Sequence, residues 1–487
     1  MLASQKIRWI LGLSLLILVT GLTCHHFLTQ PRVWTDEALN VQMAKTLAET
    51  GTINIPLAPG VFSSHTYRYT SSSGWVVLAS LALIFKIFGS SFFVARSVMA
   101  TYLIGFVIFL FFFLQQVWDV RRAFLATLLV ATFASFYANG KSVLGEVPAA
   151  FWLLLGFYCL QVLEARLVWR SILGGLGFGL FFATKPAFLI LGLPALGLIL
   201  LIQLILRKES WRFFLLFWLV ITICIAPTVW FGMIHPISGA HLQETLAYYS
   251  NNYQARCIAC DIQNNLRGFF TRSTFWHLDL LLLATAIALV WQKRALLRDW
   301  RVQWLLAYSA VSILYFIKSP GTNRYLLHVQ ILGLILFPWA LFVLWKRFFV
   351  TRLWLPTALV IILAVLQLVQ FFWFSEVYAS DTPIVIERLI QAELAPRGDL
   401  IGIIATPVAA APVPLRQLVQ YISMNGRTDG QNPLSLPADQ LPHFIIYSLG
   451  SVSLAHDLNP YEAVLDRWYQ IKTTFEQGKY VVLEKKS

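Results

Sequence analysis

The sequence predicts a polytopic α-helical membrane protein, and three observations carry that prediction. Of its 487 residues, 58% are hydrophobic and only 12% are charged, about half the charged share of a water-soluble domain. The apolar residues gather in runs close to the roughly 20 that a helix needs to cross the hydrocarbon core. Lys and Arg cluster in short stretches between those runs, as the positive-inside rule requires of cytoplasmic connections. A water-soluble helical fold is excluded. The net charge of +14 does not mark a nucleic-acid binder, because no basic stripe with interleaved exposed aromatics is present.

Apolar runs fall near residues 9–28, 74–89, 97–116, 123–138, 147–163, 171–184, 187–206, 213–233, 278–292, 303–317, 325–344 and 353–374. Lys6 and Arg8 precede the first run, and no small-residue cleavage pattern follows it, so it reads as a retained span rather than a signal peptide. Beyond residue 96 the connections alternate in charge. One set (117–122, 164–170, 207–212, 293–301, 345–352) holds 14 Lys and Arg in 36 residues, and the other (139–147, 184–187, 234–277, 318–324) holds 7 in 64. The first set is assigned to the cytoplasm, together with the N-terminus. The two assignments agree only if one run between residues 29 and 96 does not cross. The short run Trp75–Phe88, with Lys86 inside it, is the natural choice and is read as a helix at or dipping into the outer face. About eleven spans follow, with the C-terminus outside.

Composition changes after Phe374. Ile384–Leu394 reads as a helix, Leu400–Ala405 as a strand, Leu415–Met424 as another helix, and Phe444–Tyr447 and Tyr480–Leu483 as strands. The expected division is a transmembrane domain over 1–374, whose first outer loop 29–96 contains the juxtamembrane helix 74–89. A small α/β domain outside the membrane follows over 375–487.

Five cysteines are present, three of them (Cys24, Cys159, Cys224) in apolar runs as packing residues. Cys257 and Cys260 form a CxxC in a polar connection, read as a local disulfide or an incidental pair. A zinc site would need two further ligands, for which only His241 and His277 offer themselves.

The promising polar residues all fall on the outer side. Asp36 and Glu37 follow Trp34-Thr35 shortly after the first span, where a reduced dielectric tunes the basicity of a carboxylate and lets it accept a hydroxyl proton. The same residues also read as an ordinary helix start, with Thr35 as cap, the acids in the first turn and Ala38–Ala48 as the helix. Glu146, in Gly145-Glu146-Val147-Pro148, lies against the start of a span, where an uncompensated acid is costly. It too suits a helix start, and Lys141 is a possible partner. Lys185, in Thr184-Lys185-Pro186, reads as an anion partner or an interface snorkeler. Arg324, in Asn323-Arg324-Tyr325, offers a fork suited to phosphate or an interfacial anchor.

The order of these features resembles the GT-C superfamily of membrane glycosyltransferases. It comprises a first span, Trp34-Thr35-Asp36-Glu37-Ala38, a helix ending Phe88-Gly89-Ser90, and Ala95-Arg96-Ser97 opening a span. Gly145-Glu146, Thr184-Lys185-Pro186 and Asn323-Arg324-Tyr325 then follow. Over about residues 1–345 it looks most like the protein mannosyltransferase and aminoarabinose transferase branch, including the bacterial Rgt-type enzymes. The resemblance implies a sugar donor linked to a polyprenyl phosphate, transfer with inversion, and a multi-pass place in the cytoplasmic (inner) membrane with chemistry on its outer, periplasmic face. It implies Asp36 as base, Glu37 as its neighbour and Glu146 as second acid. Arg324 and Lys185, with Arg96 and Lys141, would hold the donor phosphate. The second loop lacks the Asp-x-Asp of metal-dependent oligosaccharyl transferases, so neither a divalent metal nor another cofactor is expected. The acceptor, whether lipid, polysaccharide or protein, and the sugar itself are left open. A transporter or flippase of lipid-linked saccharides is the competing reading. It calls for ionisable residues near the midplane or an internal repeat, and the sequence displays neither.

Overall fold

The computed structural model describes residues 2–66, 70, 73–206, 208–230, 243, 258–271, 283–288, 299–318, 323–348, 354–377, 379–424, 427–448, 459–476 and 478–486. Long helices dominate because the apolar runs satisfy their backbone groups only within themselves. In order they are α1 (Leu2–Cys24), α2 (Thr35–Thr50), α3 (Trp75–Phe88), α4 (Phe92–Val117), α5 (Val120–Ala131), α6 (Ala134–Gly140), α7 (Glu146–Val162), α8 (Leu167–Thr184), α9 (Pro186–Ile205), α10 (Trp211–Val229), α11 (Ile258–Thr271), α12 (Trp300–Lys318), α13 (Leu327–Phe348) and α14 (Trp354–Val377).

Among the described residues, seven helices are long and apolar enough to cross a membrane, and an eighth span forms if α5 and α6 are taken together. Of the remaining expected spans, α7 has 17 residues and α12 has 19 but carries Arg301, Gln303 and Lys318. The run 278–292 falls largely outside the described residues. The 123–138 run, expected as one continuous helix, is bent by 62° between α5 and α6. The carbonyl of Ala131 exposed at the bend accepts a hydrogen bond from the Tyr137 hydroxyl at 2.6 Å, and Thr132 bonds Gln367 of α14 at 2.7 Å. At 14 residues, α3 extends roughly 21 Å, well short of a bilayer core.

Two apolar cores hold the bundle. One joins α1, α4, α5, α6, α7, α13 and α14 around Leu103, Phe111 and Leu129. The other joins α7, α8, α9, α10 and α12 through an aromatic stack of Phe178, Phe181, Phe182 and Trp304. Trp9, Ile10, Leu13 and Ile17 of α1 remain exposed, as befits a lipid-facing surface.

The C-terminal region carries α15 (Thr382–Leu389), whose helical path continues through Arg397, then α16 (Pro407–Ala410), α17 (Glu462–Trp468) and a six-stranded mixed sheet. Its strands are β3 (Ile401–Ile404), β4 (Leu418–Met424), β5 (Arg427–Asp429), β6 (Phe444–Ser448), β7 (Tyr469–Phe475) and β8 (Tyr480–Lys485), in the order β5-β4-β3-β6-β8-β7. A two-stranded ribbon, β1 (Pro56–Ala58) and β2 (Val61–Phe62), belongs to the first loop. The segment expected as a helix at Leu415–Met424 is instead strand β4. It pairs in parallel with β3, Ile401 opposite Leu418, and a short apolar run rich in β-branched and aromatic residues takes whichever period its neighbours impose.

This sheet region is welded to the first loop. Ile384, Val408, Ala411 and Ile422 share one core with Val33, Leu39, Met43 and Leu78. Gln42 donates to the Pro407 carbonyl at 2.9 Å and accepts from Gln420 at 2.8 Å. Lys45 Nζ donates to the Val413 carbonyl at 2.6 Å. Burial pushes the Lys45 ammonium down to about 8, against the pull of Glu49 and Glu387. The unfolded chain keeps this lysine charged to about pH 10.4, so the unfolded state binds more protons between those values and folding stability rises with pH across that window. In Lys45→Met that rise should be absent, as read from melting temperatures of the detergent-solubilised protein between pH 7.5 and 10.

Candidate active site

The chain brings four of its predicted charged residues into one line at a single end of the bundle. Arg324 Nη1 donates to Asp36 Oδ2 at 2.7 Å. Arg324 Nε stands 3.9 Å from Glu146 Oε1, and Lys185 Nζ reaches the same oxygen at 2.5 Å. Asp36 comes from the first turn of α2, Glu146 from the first residue of α7, Lys185 from the break between α8 and α9, and Arg324 from the turn ahead of α13.

Local sequence explains each placement. Helix α2 begins at Thr35 with Trp34 at the cap position and no side-chain cap, so Thr35 is helical and the two acids complement the first-turn N–H groups. Consecutive helical residues diverge by about 100°, which sends Asp36 and Glu37 to different surroundings. Glu37 is fully buried and accepts both Arg96 Nε and Nη2 at 2.8 Å. The Arg96 guanidinium spends its other donors on the carbonyls of Phe27, Leu28 and Pro31, at 3.1, 2.8 and 2.8 Å. Arg96 is thus a clamp on the segment between α1 and α2, with every donor engaged inside the protein and none left to meet a donor phosphate.

Pro186 lacks an N–H and ends α8, leaving Lys185 extended. The carbonyls freed there are taken up by neighbours: Gly74 N–H donates to Thr184 O at 2.7 Å, and Thr228 Oγ1 to Ala183 O at 3.2 Å. Two glycines make this approach possible. A Cβ at Gly74 would fall 2.1 Å from Ala183 O, and one at Gly145 would fall 2.9 Å from Thr184 O. Lys185 therefore sits beside Glu146 and takes the partnership that Lys141 was a candidate for. Lys141 turns the other way, donating to the His25 carbonyl at 2.6 Å. Burial, with Arg96 nearby, pushes its ammonium down to about 7, so it is poorly suited to holding a phosphate.

His328 and Tyr308 were not singled out from sequence, and Trp34 was named only as part of its motif, with no role. His328 Nε2 lies 2.8 Å from the Glu146 carbonyl, which can only accept, so Nε2 carries the proton. Its Nδ1 lies 2.8 Å from the Tyr308 hydroxyl. Trp34 stacks under the Arg324 guanidinium at 5.1 Å. His328 follows Arg324 by four residues, the spacing of one helical face, and an ionisable residue within a span was the available signal.

From His328 and Tyr308 a cavity of about 380 Å³ runs between α4, α7, α12 and α13. Its walls include Phe106, Leu110, Phe157 and Ile335, and it ends near Trp118 and Arg301. On α7 the lining extends from Ala150 to Gln161, roughly 16 Å of helix axis. Among the described residues no group of three or more His, Cys, Asp or Glu stands close enough to hold a metal. Cys260 is disulfide-bonded; Cys257, His241 and His277 lie outside the described residues.

No protein-family model and no curated protein matches the sequence. Solved structures match its fold over nearly the whole chain. ArnT from Cupriavidus metallidurans in the apo state superposes with TM-score 0.63 and 12% identity over 98% of each chain. The same protein bound to undecaprenyl phosphate gives 0.61 and 12% over 99% of this chain and 97% of that one. Archaeal oligosaccharyltransferase AglB from Archaeoglobus fulgidus, in complex with an inhibitory peptide and a dolichol-phosphate, gives 0.54 and 11% over 98% and 74%. The chain has the polytopic GT-C fold that its motif order resembles.

Two outcomes test this geometry. Arg96→Met strands a buried carboxylate and should cost about 3–5 kcal/mol, lowering the melting temperature, while Glu37→Leu combined with Arg96→Met recovers part of the loss. Gly74→Ala should cost about 1–3 kcal/mol through overpacking against the end of α8, read from the same melts.

Proposed function

We propose that this protein transfers a sugar from a polyprenyl-phosphate donor to an acceptor nucleophile at the outer face of a bacterial cytoplasmic membrane, inverting the anomeric carbon. The observation that carries the reading is the line Asp36–Arg324–Glu146–Lys185 joined through His328 to an apolar cavity between the helices. A lipid-linked substrate needs both features: a groove for its chain and cations for its phosphate. ArnT and AglB, which share the fold, have been solved with undecaprenyl phosphate and dolichol-phosphate.

In this reading the polyprenyl chain lies in the cavity and its phosphate meets Arg324, with the Lys185 ammonium behind it. Asp36 takes the proton from the acceptor hydroxyl or amine as that nucleophile attacks the anomeric carbon from the side opposite the phosphate. The carbon–oxygen bond to phosphate breaks, and the departing dianion is stabilised by the guanidinium and the ammonium. Glu146, sealed against Lys185, holds that ammonium in place. His328 fixes the Glu146 main chain through its carbonyl. The outer-face assignment is supported by the basic connections at the opposite end of the bundle and by the Cys260 disulfide, a bond of oxidising compartments. That the charges gather at one end rather than at midplane favours transfer over transport.

Deleting the gene should make an unused polyprenyl-phosphate sugar accumulate, detectable by mass analysis of extracted lipids. Restoring the wild-type chain should clear it. Asp36→Asn, at equal expression and melting temperature, should clear it at least about 100-fold more slowly. Clearance at the wild-type rate would remove Asp36 from the base role, and a lipid that merely changes leaflet without losing its sugar would favour the transporter.

A further inference from the structure

We propose that Arg324 is an exchangeable partner, so that arrival of the donor's phosphate displaces Asp36 from the guanidinium and thereby releases the base. This rests on the donor reading above and adds an order of events to it.

The four charged groups of the site cancel: two carboxylates, one guanidinium and one ammonium, each acid in contact with a cation. The other two predicted cations are committed elsewhere, Arg96 to Glu37 and three carbonyls and Lys141 to His25. Among the described residues of the site an entering anion therefore finds no surplus charge, and it takes a cation from a carboxylate. Exposure decides which. Glu146 and Lys185 are both 1% exposed, a sealed pair, whereas Asp36 and Arg324 are 26% and 15% exposed. Opening the sealed pair would strand a buried charge, at a cost of several kcal/mol. Parting the partly exposed one costs less, because water reaches the carboxylate that lets go.

Arg324 is built to change partners without moving. Its guanidinium is held on the Trp34 ring at 5.1 Å and the Tyr325 ring at 5.8 Å, contacts that do not depend on Asp36. Its Nε is buried without a hydrogen-bond partner, so one donor already faces inward with nothing to receive it. Burial against Glu146 closes that inward side, so an entering phosphate meets the guanidinium at its Nη atoms, where its oxygens replace that of Asp36. Asp36 then rests in the first turn of α2, where the helix N-terminus favours its negative charge. The lone pair formerly given to Arg324 becomes available to the acceptor's proton. Acceptor activation is thus withheld until donor is in place, and by linkage the carboxylate weakens donor binding by as much as the donor frees the carboxylate.

The test is the affinity of the full-length, detergent-solubilised protein for undecaprenyl phosphate, measured for the wild type, Asp36→Asn, Asp36→Ala and Asp36→Glu. Removing the competing charge should tighten binding about three- to tenfold in Asp36→Asn or Asp36→Ala, and Asp36→Glu should bind as the wild type does. Unchanged or weaker binding in both neutral variants, with the wild type binding measurably, overturns the exchange and leaves the donor reading standing. No binding by the wild type or any variant overturns both.

Discussion

The buried pair of Glu37 with Arg96 is the constraint on which the rest of the site depends. It joins the start of α2 to α4 and gathers the carbonyls of Phe27, Leu28 and Pro31 onto one guanidinium. The chain leaving α1 is thereby held in a single path. Because Glu37 is locked inward, its neighbour Asp36 must leave the helix in a different direction, toward Arg324. Two adjacent acids with the same chemistry thus acquire opposite roles, one as an internal strut and one as the exposed member of the charge line.

The other half of the site is built by interruption. Pro186 stops α8 one residue short of the next span, and glycines at 74 and 145 let two loops press against the carbonyls left over. The ammonium of Lys185 arrives beside Glu146 as a by-product of that packing. The His328 bond to the Glu146 carbonyl comes from a third element, so the carboxylate is braced from both α8 and α13. A site at a membrane boundary needs such bracing because water there competes for every exposed polar group, and only side chains held by several neighbours keep a fixed geometry.

Much of this was legible in the sequence. Charge sidedness alone put Asp36, Glu146, Lys185 and Arg324 at one end of the helices, and it also singled out the short, lysine-bearing Trp75–Phe88 run as the one to set aside from the spans. What sequence did not decide was pairing. Lys141 and Lys185 are both plausible partners for Glu146, and the choice is made by glycine contacts between segments 39 and 109 residues apart. The β4 segment was misread as helix for the same reason: its conformation is set by its parallel neighbour β3, a non-local contact that an apolar run of seven residues cannot reveal. His328 and Tyr308 look like ordinary helix-lining residues until the fold brings them under Glu146.

The shared core between the first loop and the C-terminal sheet has a consequence in time. Val33, Leu39 and Met43 are made roughly 370 residues before Val408, Ala411 and Ile422, which pack against them. Spans can be inserted one after another as they emerge. The loop bearing Asp36 cannot close over its own apolar face until those later residues have joined it. The protein is therefore a bundle assembled in sequence around a centre that is finished late, and a chain stopped before residue 408 would leave a set of helices without a closed first loop.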